Sequence, residues 1–248
     1  MLSIANVEDV CVWQTGDMAG LKRAQAREEM LQAILRAAAG QLAEVGPAAL
    51  SLRAVARELG VVSSAVYRYV ESRDALLTLL IIEAYNDLGA TAELAEARVP
   101  RTDLPGRFVA TCNAIRGWAL DNPHKYALIF GTPVPGYHAP EDTIGPASRV
   151  AILLTGILID RDTEFTGADA AECRLAKSAM APLRADFGAS VPDALLARGL
   201  VAWMSIIGAV SVETFGHLTG VVADSPVTRK RFFEQDMRNL ATGLRLFD

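Results

Sequence analysis

Cysteine is scarce in this 248-residue chain: there are three, Cys11, Cys112 and Cys173, far apart and with no C-x-x-C spacing. An odd, scattered set excludes a disulfide framework and a thiolate zinc site, and reads as buried or incidental thiols in a reducing compartment. The histidines, His124, His138 and His217, show no ligand spacing either, so no metal is expected. Net positive charge is also lacking. At −5 the chain is no general nucleic-acid coat. The longest apolar stretches, around Ala75–Ile82 and Leu200–Val212, are interrupted or flanked by charge and fall short of the ~20 uninterrupted residues of a membrane span. The first residues carry Glu8 and Asp9 and no basic start, unlike a secretion signal. The expectation is a cytoplasmic protein with no membrane partner. Sustained period-two alternation is absent, which excludes a sheet. No phosphate loop, nucleophile elbow or dinucleotide fingerprint is present, so no cofactor is expected and catalysis is disfavoured.

What is present is helical periodicity broken by glycine and proline. Met30, Ile34, Leu35, Ala38, Leu42 and Val45 make one apolar stripe on a first helix from about 22 to 45, which Gly46-Pro47 ends. Ser51 is placed to cap a short helix over 52–59, Gly60 breaks the chain, and a third short helix fits 63–69. Ser72 caps a long fourth helix reaching about Ala97. Further helices fit 104–121, a segment from Asn122-Pro123 to Gly131, then 145–161, 168–188, 192–218 and 227–246. Thr132–Ile144, with three prolines and a glycine, is a loop. The predicted fold is all-α with about ten helices: a flexible arm over 1–20, a three-helix head over 21–72, a linking fourth helix over 73–97, and a helical-bundle body within 73–248. Charge follows that division. Leu21–Asp74 holds eight basic and six acidic residues, net +2, which leaves −7 on the remainder. A basic end on an acidic body suits a protein that touches phosphate at one end only.

The segment that carries the chemistry is 51–70, SLRAVARELGVVSSAVYRYV. A helix-turn-helix needs a small residue where the second helix crosses the first, and Ala56 is small. Its turn needs a residue tolerant of positive φ, and Gly60 sits four later. Val55, Leu59, Val66 and Tyr69 supply the apolar lock. In such a motif the 63–69 helix lies in the major groove. Ser63 and Ser64 are then placed to cap it and to reach phosphate or base edges, Tyr67, Arg68 and Tyr69 lie within two turns, and Arg53 and Arg73 suit backbone phosphates. The plain alternative is a tight helical hairpin in a core, for which the Tyr67-Arg68-Tyr69 mixture is an unusual composition.

On these residues the chain resembles the TetR family of bacterial repressors. S-L-R-A-V-A-R-E-L-G-V at 51–61, A-V-Y-R-Y at 65–69 and S-R-D-A-L-L at 72–77 parallel the family's T-x-R-x-I-A-x-x-x-G-V-S, L-Y-x-H/Y-F and Ser-Lys-x-x-L patterns, and the likeness covers about 22–85. Val62 departs from the usual Ser or Thr, Val70 from Phe and Arg73 from Lys. D-N-P-H-K-Y-x-L-I-F-G at 121–131, with Trp203, Glu213 and Phe215-Gly216-His217, resembles a C-terminal domain of some members. The likeness implies double-stranded operator DNA as partner, a small-molecule effector in the body, and a homodimer through about 168–188 and 192–218.

The body's own residues leave the effector open. The 192–218 helix is apolar nearly all round, which points to cover from a second subunit or to a central core helix. Glu213 must find a partner there, and His217 is one turn on. The pair reads as a structural hydrogen bond, as a polar anchor in an apolar pocket, or as the acid and base of an all-helical enzyme. Trp118, Tyr126, Phe130 and Trp203 are candidates to line a pocket with Glu213 and His217, and equally to fill a core. A dimeric adaptor whose helix-turn-helix binds protein is a third class of reading.

Overall fold

Helix ends in the computed structural model, which describes residues 7–161 and 193–246, fall at the glycine and proline breaks. The described residues form α1 (Val7–Val45), a 3₁₀ turn (Pro47–Ala49), α2 (Leu52–Glu58), α3 (Ser63–Tyr67), α4 (Arg73–Ala97), α5 (Leu104–Asp121), α6 (Pro123–Phe130), a second 3₁₀ turn (Glu141–Thr143), α7 (Ile144–Arg161), α8 (Asp193–Thr214) and α9 (Pro226–Gly243). These are nine α-helices with no strand among the described residues, and the fold is all-α as expected. The helix anticipated over 168–188 lies outside the described residues.

Several boundaries differ from expectation, three of them for a plain local reason, and the last helix ends at Gly243 where 246 was expected. α1 begins at Val7, inside the stretch read as an arm, where no proline stands to stop it. α3 ends at Tyr67, with Arg68 as its C-cap. α8 ends at Thr214 because Gly216 takes φ +77°, with His217 N–H bonded to Val212 O (2.9 Å) and Gly216 N–H to Glu213 O (3.0 Å). Those two bonds close a Schellman motif and stop the helix short of 218.

The chain divides into two compact units. One takes the residues up to Leu80 together with Val134–Tyr137, and the other takes Ile81–Pro133 and the residues from His138 onward. The first unit buries Ile34, Leu42, Val55, Ala56, Val66, Val70, Leu76 and Leu77. In it the Tyr137 hydroxyl bonds Thr78 Oγ1 at 2.9 Å. The second buries Leu88, Phe108, Ile115, Leu154, Ile157 and Ile206 around Tyr126 and the free thiol of Cys112, whose pKa burial pushes well up.

In the second unit the acidic residues of α4 are met by cations from α5, α6 and α7. Lys125 Nζ lies 3.4 Å from Glu83 and 3.2 Å from Asp87, and Asp87 also accepts from Trp118 Nε1 at 3.0 Å. Arg149 forks onto Glu93 (2.9 and 2.7 Å), crosses Gly89, and donates to Asn86 O and Oδ1 (both 3.0 Å). A Cβ on Gly89 would sit 2.8 Å from Arg149 Nε, so the absent side chain is what admits the guanidinium. Arg107, almost wholly buried, binds Glu96, donates to Asp160 Oδ2 (2.7 Å), and shares both acids with Arg101.

Three helices, Arg73–Ala97, Glu141–Arg161 and Leu195–Thr214, are long and apolar enough to cross a membrane by length and composition alone. Counting uninterrupted runs had missed them, because their charges are spaced apart. Some of those spaced charges are the ones paired above, as at Glu83, Asp87 and Arg149.

Arg107 is the buried cation on the buried Glu96, to which the exposed Arg101 comes only within 3.5 Å, so removing Arg107 takes away that carboxylate's close partner. Arg107→Met should destabilise that unit by roughly 3–5 kcal/mol. Urea denaturation followed by circular dichroism would measure this; an unchanged midpoint would contradict it.

Candidate nucleic-acid interface and effector body

The turn between α2 and α3 follows from one glycine. Gly60 has φ +68°, Val61 N–H bonds Ala56 O (3.0 Å) and Gly60 N–H bonds Arg57 O (3.2 Å). This pair of bonds is again the Schellman arrangement, with Gly60 in the left-handed position that a Cβ penalises. It ends α2 and turns the chain into α3 over the buried Ala56, whose small side chain leaves room for Val66. Val62, not a serine, occupies the N-cap of α3, extended (φ −69°, ψ 143°) and with no side-chain cap bond. Ser63 and Ser64 are the first residues of the helix, so the capping expected of them is not what the structure shows. Ser51 likewise stands at the N-cap of α2 without a side-chain cap bond, and its N–H instead donates to Gln41 Oε1 (3.3 Å). Ser72 does cap α4, accepting from Ala75 N–H at 3.0 Å.

The other predicted head residues sort by exposure. Arg53, Ser64, Tyr67 and Arg68 are exposed, while Ser63 and Tyr69 are half-buried. Arg73 is engaged elsewhere: its Nη2 donates to the carbonyls of Pro47 (2.8 Å) and Ala48 (3.2 Å), and Nη1 lies 3.5 Å from Asp74. Read as a phosphate clamp from sequence, it braces the start of α4 against the 3₁₀ turn. Val70, where the family pattern has Phe, is buried.

In the second unit the predicted pocket residues do not form one cluster. Tyr126, Phe130 and Trp203 do come together. Tyr126 and Phe130 centroids are 5.0 Å apart, and Phe130 and Trp203 6.3 Å. Tyr85 (5.9 Å from Phe130) and Phe215 (5.8 Å from Tyr126) complete the group. The Tyr126 hydroxyl donates to Ile207 O (3.0 Å) and shares a hydrogen bond with Ser211 Oγ (2.8 Å). Burial pushes this phenol up to about 12, against a lowering by the Ser211 bond. Trp118 is buried with its Nε1 on Asp87. Glu213 is buried, and its partner is Arg116, whose Nε and Nη2 donate to the two carboxylate oxygens at 2.6 and 2.5 Å. The Arg116 guanidinium also lies 5.7 Å from the Phe233 ring centroid. His217, expected beside Glu213, is exposed beyond the end of α8. Gly216 turns the chain there, so the one-turn helical spacing does not extend to it. An open groove of about 580 Å³ also lies along the start of α5 and Arg238 of α9, lined by Asp103, Val109 and Asn113 among others.

Comparison with known proteins settles the family. Residues 34–80 match the family described as bacterial regulatory proteins, tetR family, and residues 108–240 match the tetracyclin repressor-like C-terminal domain. An HTH-type transcriptional regulator of Mycobacterium tuberculosis is 42% identical over 201 residues, covering 79% of this chain and 85% of its own length, and one from Mycobacterium bovis matches equally. The chain belongs to the TetR family of transcriptional regulators. The crystal structure of the regulatory protein SCO4313 superposes with a TM-score of 0.69 at 31% identity, covering 88% of this chain and 98% of that one. The TetR-family regulator PfmR from Thermus thermophilus shares the fold alone, with a TM-score of 0.52 at 18% identity over 84% of this chain and 96% of its own.

In this TetR-family regulator, sequence reading missed Arg116, Tyr85 and Phe215. Arg116 stands 97 residues before the acid it pairs with, and no local pattern announces such a partner. Phe215 was quoted in the family likeness but not assigned to the pocket, and Tyr85 looked like another core residue of α4.

Two outcomes follow. Arg116→Met should cost roughly 3–5 kcal/mol by leaving Glu213 buried and unpaired, and adding Glu213→Leu should restore most of it. Equal stability of the single and double variants in urea would contradict this. Because the Tyr126 pKa is raised from 10 to about 12, its stabilisation is complete below pH ~10 and is lost as pH rises towards 12. Burial raises the Tyr85 phenol as well, so phenolate absorbance should show one fewer late-ionising tyrosine in folded Tyr126→Phe than in the unaltered chain. Identical titrations would contradict it.

Proposed function

We propose that this DNA-binding regulator is a dimeric, cytoplasmic repressor that reads its operator with α3 and is released from it by a small molecule bound in the body. The observation that carries the reading is the Gly60 turn, which accompanies a buried Val66 and leaves Ser64 and Tyr67 of α3, and Arg68 at its C-cap, exposed. Ser63, Ser64, Tyr67 and Arg68 then form the reading set, with Tyr69 at its edge. Arg53 serves a backbone phosphate. Residues 21–72 do the reading, and 73–248 sense and dimerise.

The dimer reading draws on α8. Val201, Met204 and Val212, with Phe215 just past the helix end, are 38–50% exposed along one side of this largely apolar helix, with Gly208 between them. A second subunit over that side would satisfy it. The other proposed dimer segment, 168–188, lies outside the described residues. The aromatic group of Tyr85, Tyr126, Phe130, Trp203 and Phe215 supports an apolar effector site, with the Tyr126 and Ser211 hydroxyls as its polar marks. Arg116 and Glu213 neutralise one another and so favour an uncharged ligand. For release, the effector must bind the form that does not bind DNA more tightly than the form that does.

Fluorescence anisotropy on a duplex taken from immediately upstream of the chain's own gene tests the reading. Tyr67→Ala with Arg68→Ala should cost at least ~1–3 kcal/mol of sequence-selective affinity, about ten- to a hundredfold, with unchanged melting. Undiminished binding by that variant would overturn the assignment of α3.

A further inference from the structure

α3 is only five residues long and has no side-chain cap, so it needs bracing from outside itself. Part of that bracing comes from α1. The guanidinium carbon of Arg27 lies 5.4 Å from the centroid of the Tyr69 ring. Tyr69 stands two residues beyond the end of α3, held by its N–H on Val66 O (2.9 Å), where the helix no longer fixes the direction of its side chain. Arg27 is exposed, and among the described residues it forms no ion pair or hydrogen bond; nor does the Tyr69 hydroxyl. A guanidinium stacked on a ring keeps its edge of N–H donors available, which an ion pair with a carboxylate would consume.

We propose that Arg27 is a further residue of the DNA interface, acting with Tyr69 as one stacked unit that offers the guanidinium edge and the phenol hydroxyl together to a backbone phosphate. The sequence pattern of the helix-turn-helix does not contain it, because it lies on α1, 24 residues before the motif begins at Ser51. Arg27 has two parts in this arrangement. It holds the Tyr69 ring in place, and it contributes one positive charge to the phosphate contacts. The proposal rests on DNA binding by this head.

The test uses the full chain and random-sequence duplex DNA, which needs no knowledge of the operator, across a range of salt concentrations. Arg27→Ala should lower affinity roughly two- to tenfold and reduce the slope of log affinity against log salt by about one. Arg27→Lys keeps a cation over the ring and should restore the slope and much of the affinity. Tyr69→Ala should weaken binding too, and the double variant Arg27→Ala with Tyr69→Ala should lose less than the product of the two single losses. Melting temperature, followed in parallel, should not move for Arg27→Ala. An unchanged slope in Arg27→Ala, or losses that simply multiply in the double variant, would overturn the stacked unit. Absence of salt-sensitive binding by the unaltered chain would overturn the DNA-binding head itself, a distinguishable failure.

Discussion

The hydrogen bond from Val61 N–H to the Ala56 carbonyl, closed over Gly60 at positive φ, fixes where α3 can go. α2 and α3 are too short to be stable helices by themselves, at seven and five residues. They persist because the turn sets Val66 against the core of Leu52, Val55 and Ala56. The turn thereby decides which residues of this segment stay exposed, Ser64, Tyr67 and Arg68 among them. The same backbone device stops α8 at Gly216 and carries His217 away from Glu213.

The second unit is organised by charge as much as by apolar packing. Among the described residues its buried ions are matched: Arg107 with Glu96, Arg116 with Glu213. Buried pairs of this kind add little net stability against an apolar substitute, but removing one partner is costly, so they specify which helix faces which. The residues of α4 from Ile81 onward receive such contacts from α5, α6 and α7. A ligand that altered any of those three helices would act on α4 through short, directional bonds. That is the physical form an effector's differential binding energy would take in this unit.

Much of this was legible in the chain, and the rest was hidden for identifiable reasons. Gly60, Asn122-Pro123 and Gly131 mark their breaks because backbone stereochemistry is local. The S-L-R-A-V-A-R-E-L-G-V segment showed the head because a helix-turn-helix constrains residue size at fixed offsets. The apolar faces showed helices but not which buried polar groups would pair. Glu213 stood out as needing a partner, yet the one it has comes from α5, far away in sequence. Arg73 sat where a phosphate contact would be, and only the folded chain shows its guanidinium bound to the carbonyls of Pro47 and Ala48. Val62 broke the family pattern at the cap of α3, and the structure shows that helix starting without a side-chain cap.

The central claim is that the surface set by the Gly60 turn recognises DNA as part of a two-headed assembly. A nuclease footprint over the region upstream of the chain's own gene tests it most directly. Two protected half-sites of related, inverted sequence are expected, their centres about one helical turn (~10 bp) or a multiple apart. Protection of a single unrepeated site, or uniform protection without sequence preference, would contradict it.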